Sequence, residues 1–177
     1  MLLELQALVS PTSFGIAKRT ATGVDYNRVA LLLAVLEKRV GLQIQNQDVY
    51  INVVGGIKVN EPSMDLGIIL SVSSSFRNLP IDGDVVVTGE VGLTGEIRAV
   101  SYIEKRIAEC KKLGFKKIVI PKNNYASVKD TKGIEIIPVD NLRQAINLIL
   151  RGWWIRMYNI DNIMDNKNLL HALRKIS

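Results

Sequence analysis

Ser63 follows Pro62 where the hydrophobic pattern turns helical, a plausible location for a nucleophile. A lysine of lowered pKa can activate a serine, so a Ser–Lys dyad is the covalent chemistry open to this chain. A serine at that position also caps a helix with its hydroxyl, and the structural reading is the simpler one. A core Ser–His–Asp triad is excluded, because the only histidine, His171, lies in the tail and reads as a helix-surface residue. No Gly-x-x-x-x-Gly-Lys-Ser/Thr loop occurs, so the chain is not an NTPase by itself. No Cys/His cluster has metal-ligand spacing, and neither a metal nor another cofactor is expected in this domain.

The second chemistry is charge. Lys and Arg number 23 against 17 Asp and Glu, a net charge of +6. Eight basic residues fall between Arg98 and Lys122, against Glu104 and Glu109. Such a cluster suits a polyanion such as nucleic acid, and a solvated helix face is the equal alternative. Arg98, Lys105, Arg106, Lys111 and Lys112 are the candidate phosphate contacts. Lys18 and Arg19 join them if the fold brings their loop near. Phosphate contacts bind without reading base sequence.

The elements that must position these residues alternate between strand and helix patterns. Leu2–Val9 reads as a first strand, and Thr12–Gly23 as a loop or irregular strand. Asp25 caps a helix to about Val40, with Val29, Leu32, Leu33 and Leu36 at helical spacing and Gly41 as the stop. Asp48–Val54 is a strand ending in Gly55-Gly56. Ile57-Lys58-Val59 continues it or turns back as a hairpin. The next helix runs from about Met64 to Phe76, with Ser63 as N-cap. Asp84–Val100 reads as a hairpin turning at Gly92-Leu93-Thr94-Gly95, with Glu90 and Glu96 near the turn. A helix from about Tyr102 to Leu113 carries most of the basic cluster. Lys117–Ile120 and Ile134–Pro138 are strands separated by a polar loop with helical tendency. Asp140 or Asn141 caps a helix to about Leu150. The alternation predicts an α/β fold with helices packed on a mixed sheet.

With 177 residues, the chain is long enough for one domain, over 1–150, and an appendage, over 151–177. Composition shifts at Gly152, and Leu169, Leu170, Leu173 and Ile176 space out one amphipathic helix. Cys110 is the only cysteine, so no intrachain disulfide forms and a cytoplasmic address is the simplest fit. No apolar run approaches the ~18 residues that span a bilayer, and no basic leader opens the sequence, so no membrane partner is expected.

Several segments, in order, carry a resemblance. They are Val53-Val54-Gly55-Gly56, Glu61-Pro62-Ser63-Met64-Asp65-Leu66, Thr88-Gly89-Glu90, Gly92-Leu93-Thr94-Gly95-Glu96-Ile97-Arg98, Gly114-Phe115-Lys116-Lys117 and Ile120-Pro121-Lys122. With Leu8–Thr12 and Thr20–Arg28 they resemble the C-terminal Lon-protease-like domain of the RadA (Sms) family of bacterial DNA-repair and recombination ATPases, over roughly residues 2–150. The resemblance implies a Lon-type fold of the ribosomal-protein-S5-domain-2-like kind. The zinc-binding and ATPase modules of that family have no counterpart here, which implies a fragment or shortened relative. Lon peptidases carry a serine nucleophile and a downstream lysine. Aligning their Thr-Gly-Glu segment on Thr88-Gly89-Glu90 without gaps puts the serine on Ser63 and the lysine on Arg106. Arginine, with a pKa above ~12, does not take a serine proton. Lys105 points about 100° away on a helix. The resemblance therefore implies a degenerate dyad and an inactive peptidase.

It further implies a non-catalytic domain that supports hexamer assembly and sequence-independent contact with single-stranded or branched DNA during recombination and branch migration. A RecA-type recombinase is then a partner of the full-length protein. A Lon-type peptidase with an unconventional base, and a purely structural oligomerisation module, are the alternatives. The tail from Met157 onward is similar to the start of the DNA-integrity scanning diadenylate cyclase, which would make it a read-through extension.

Overall fold

A computed structural model describes residues 2–13 and 15–150. The appendage expected over 151–177, with His171, lies outside the described residues. Strand β1, Leu5–Pro11, pairs antiparallel with β3, Gln47–Val53, in the register Leu5↔Val53. Strand β2, Arg19–Thr22, lies parallel to β3 on its other side, so the first sheet is mixed, in the order β1-β3-β2. The sequence read 12–23 only as a loop or irregular strand. The short polar run Arg19-Thr-Ala-Thr22 becomes a strand because Asp48 fixes its approach, its Oδ1 accepting from Lys18 N and Thr12 Oγ1 at 2.8 Å.

Helix α1, Tyr26–Val35, starts as expected at Asp25, whose Oδ1 accepts from Arg28 N at 2.8 Å. It does not run on as α-helix to Val40. Leu36–Val40 widens into a π turn closed by Gly41. The wider turn brings Arg39 onto the loop at 92–95, where its Nε donates to Leu93 O at 3.1 Å. Helix α2, Asp65–Arg77, is buried on nearly every side of its first two turns, from Asp65 through Leu70.

The expected Asp84–Val100 hairpin divides. Its apolar run forms β4, Val85–Val87, which pairs parallel with β7, Lys117–Pro121. Only β5, Glu90–Val91, and β6, Ile97–Arg98, form the hairpin. A tripeptide of valine carries no sign of which strand it will meet, and this one meets a strand thirty residues on. Beyond β7 lies β8, Glu135–Val139, also parallel, giving the order β4-β7-β8. Helix α3, Ile103–Lys112, connects the hairpin to β7, a short α4, Lys122–Tyr125, follows β7, and α5 spans 142–150. Asn141 caps α5, its Oδ1 accepting from Gln144 N at 2.9 Å.

Strand β7 lies between two apolar clusters. Val119 belongs to the larger one, with α1, α2, β3 and α5, and Ile118 and Ile120 belong to the smaller, with Ile103, Ile107 and Cys110 of α3. All three β7 residues are fully buried, as a strand covered on both faces requires.

Candidate functional site

Pro62–Met64 is a single 3-10 turn ahead of α2. Its proline supplies the fixed φ that starts a helix without needing a donor. Ser63 is buried there, 7% exposed, and its hydroxyl does not cap α2 as expected; α2 starts at Asp65 with no side-chain cap. The Ser63 backbone is stitched to the Thr-Gly-Glu segment instead. Its carbonyl accepts from Gly89 N at 2.9 Å and from Thr88 Oγ1 at 3.3 Å, while Leu66 N donates to Gly89 O at 3.1 Å.

Arg106 projects from α3 toward the same place. Its Nη2 pairs with the Glu61 carboxylate, and its Nε donates to Ser101 O at 3.0 Å. The Ser63 side chain also faces Glu61 and favours its charged form. The carboxylate thus lies between Ser63 and Arg106. Burial works to raise the Glu61 carboxyl, but Arg106 and Ser63 outweigh it and hold the carboxyl below its ordinary range. These three side chains line a cleft of about 750 Å³ between the start of β1, β4, α2 and α3. Cys110, on the α3 wall, is 3% exposed, and burial pushes its thiol up, away from the reactive thiolate.

On the other side of the turn, Asp65 is almost fully buried. Arg28 Nε donates to its Oδ1 at 2.9 Å, Nη2 pairs with Oδ2, and Val91 N donates to Oδ2 at 3.0 Å. This pair fastens α1, α2 and β5 around the turn that carries Ser63.

The basic residues picked out from sequence separate by role. Arg98 lies across the β5–β6 hairpin, bonded to Glu96 at 2.6 Å and reaching Glu90 at 3.4 Å. Arg106 is committed to Glu61. Arg19 donates to the Ile44 carbonyl at 2.7 Å and to that of Gln47, so its guanidinium closes a loop. Lys18 is exposed, but it and Arg19 sit on the first sheet, whereas α3 packs on the second. Lys105, Lys111 and Lys112 are exposed on α3 and, among the described residues, pair with no carboxylate. Lys111 packs beside Gly133, in the loop that also carries the exposed Lys129 and Lys132. The sequence reading missed both, because their cluster ends at Lys122 and the loop returns only through the β7–β8 pairing. It also missed the role of Glu61, whose only signal was an acid two residues before the serine. Among the described residues, no group of histidine, cysteine, aspartate and glutamate could hold a metal ion, and no helix is long and apolar enough to cross a membrane.

A 3-10 turn carrying Pro-Ser, clamped to a Thr-Gly-Glu segment and facing a basic residue of the next helix across a cleft, is a Lon-type arrangement. The chain belongs to the family of Lon protease (S16) C-terminal proteolytic domains, which its residues 33–152 match. Within that class it is similar to proteins named DNA repair protein RadA. The DNA repair protein RadA of Bacillus subtilis (strain 168) is 55% identical over 152 residues, 86% of this chain and 33% of the relative. That of Listeria monocytogenes is 53% identical over 150 residues, covering 85% and 33%, and that of Streptococcus pneumoniae 48% over 149 residues, covering 84% and 36%. The chain therefore spans about a third of the length of these relatives, and it matches them as a RadA-type Lon-like domain.

Proposed function

We propose that this is a catalytically silent Lon-type domain that gives a longer DNA-repair protein a sequence-independent hold on DNA. The observation that carries the silent half is Glu61, paired with Arg106 beside Ser63. An arginine stays protonated and cannot serve as base. A carboxylate whose pKa is depressed by that same arginine is a weak base at neutral pH. The DNA half draws support from the printed name of the relatives and from the unpaired lysines on α3. Lysines that meet phosphates release counterions regardless of base sequence.

Assembly into a homo-oligomer, a hexamer in the longer protein, belongs to the same proposal, as do a cytoplasmic location and work alongside a RecA-type recombinase. Exposed Leu8, Ile16 and Leu93 supply apolar surface for contacts between copies. The test is fluorescence anisotropy of the full chain with labelled forked DNA across salt, with light scattering on the same samples. Wild type binds with a salt-dependent affinity, and Lys111→Glu/Lys112→Glu lowers the slope by about one to two units. An unchanged slope would remove α3 from the DNA contact. In parallel, a casein-like substrate is left intact. Hydrolysis that disappears in Ser63→Ala would instead make the domain a peptidase.

A further inference from the structure

Tyr102, immediately before α3, holds φ +59 and ψ +36. The left-handed region is costly for a residue with a Cβ and ordinary only for glycine or asparagine. Among the described residues the other such non-glycine is Asn78, at the end of α2, where asparagine is expected. The Tyr102 ring gains nothing from burial in return, for it stands 69% exposed. The Lys105 ammonium lies 5.2 Å from the ring centroid. Lys112 follows two turns along nearly the same stripe, about 10 Å further down the axis. Glu104 and Lys111 lie roughly 100° around the helix from Lys105 or Lys112, and Glu109, nearer the stripe, is half-buried.

An exposed ring at the start of α3, with the Lys105 ammonium over one face, fits an unstacked nucleobase that lies on the other face or takes the ammonium's place, its phosphates continuing along the lysines. A duplex keeps its bases stacked on one another and has none to offer. We propose that Tyr102 is a base-stacking platform for single-stranded nucleic acid, with Lys105 and Lys112 contacting the adjoining phosphates. This rests on the reading of α3 as the DNA-contacting face, and it names the strand form that the face prefers.

The test uses the full chain and three labelled ligands of equal length: oligo-dT, the same backbone without bases, and a blunt duplex. Tyr102→Gly removes the ring and suits the left-handed backbone, so the variant folds at least as well as wild type, as a thermal melt verifies. The expected result is a roughly tenfold loss of oligo-dT affinity with the salt slope, duplex binding and abasic binding unchanged. Tyr102→Phe retains the affinity. Wild-type affinity for oligo-dT in Tyr102→Gly, with Lys112→Glu still weakening it, overturns the platform and leaves the DNA reading standing. Absence of binding to all three ligands by wild type overturns both.

Discussion

A serine becomes a nucleophile only when a neighbour can accept its proton near neutral pH. Ser63 has Glu61 for a neighbour, and Glu61 is already engaged by Arg106. On the proposal of a silent domain the block is double: an arginine where a Lon-type dyad needs a lysine, and a carboxylate that would keep any cation there charged. Arg106→Lys alone is expected to leave casein uncut, whereas Glu61→Ala/Arg106→Lys removes both obstacles. Turnover by the single variant would show that Glu61 is not part of the block. Glu96 gives a second residue-level expectation. Hydrogen bonds from Thr94, from its own backbone N–H and from Arg98 lower its pKa from 4.5 to about 2. The folded state therefore holds this proton less tightly than the unfolded chain. Its contribution is complete above pH 4.5, declines below that, and is gone once pH falls through about 2. Solvent screening at this exposed site limits it to about 1 kcal/mol or less. Urea melts of wild type and Glu96→Gln should differ at pH 7 and converge toward pH 2; a constant difference would mean that the charge is not what Glu96 contributes.

Gly23 joins β2 to α1 at φ +83, and a Cβ there would stand 2.7 Å from Ile57 O and from Val53 Cβ. Its own carbonyl accepts from Val59 N at 2.8 Å, which draws the 57–59 segment against the link. Gly23→Ala is expected to cost about 2–3 kcal/mol, from the left-handed backbone and from crowding by atoms that cannot swing away. A denaturant midpoint close to wild type would contradict this. The same elements show what was legible in the sequence. Helices α1, α2, α3 and α5 were, because their period and the caps at Asp25, Gly41 and Asn141 are local signals. Strand partners were not. Parallel pairing of β2 with β3, and of β4 with β7, depends on residues tens of positions away. Motif register drew attention to Ser63 and Arg106, but the Glu61–Arg106 bond spans 45 positions and only the fold reveals it.

Over the whole molecule, β7 makes the two apolar clusters one structure. Its alternating residues fill both, so neither can loosen without disturbing the strand that the other needs. Ile107→Ala, in the smaller cluster and 1% exposed, is expected to cost about 2–4 kcal/mol. It should shift a single cooperative transition rather than split it. Circular dichroism and amide exchange in β3, which lies in the other cluster, would follow the loss; protection in β3 equal to wild type would mean that the clusters unfold separately.

The parallel order β4-β7-β8 also sets a timetable for synthesis. When Val85–Val87 leaves the ribosome its partner has not yet emerged, and β7 in turn lacks one edge until residues 135–139 emerge. A nascent chain stopped between these points carries a valine- and isoleucine-rich strand with open hydrogen-bonding groups. The second sheet can close only once β8 has left the ribosome, and the larger cluster only once α5 has followed it, so the nascent domain needs protection until nearly all of residues 2–150 are out.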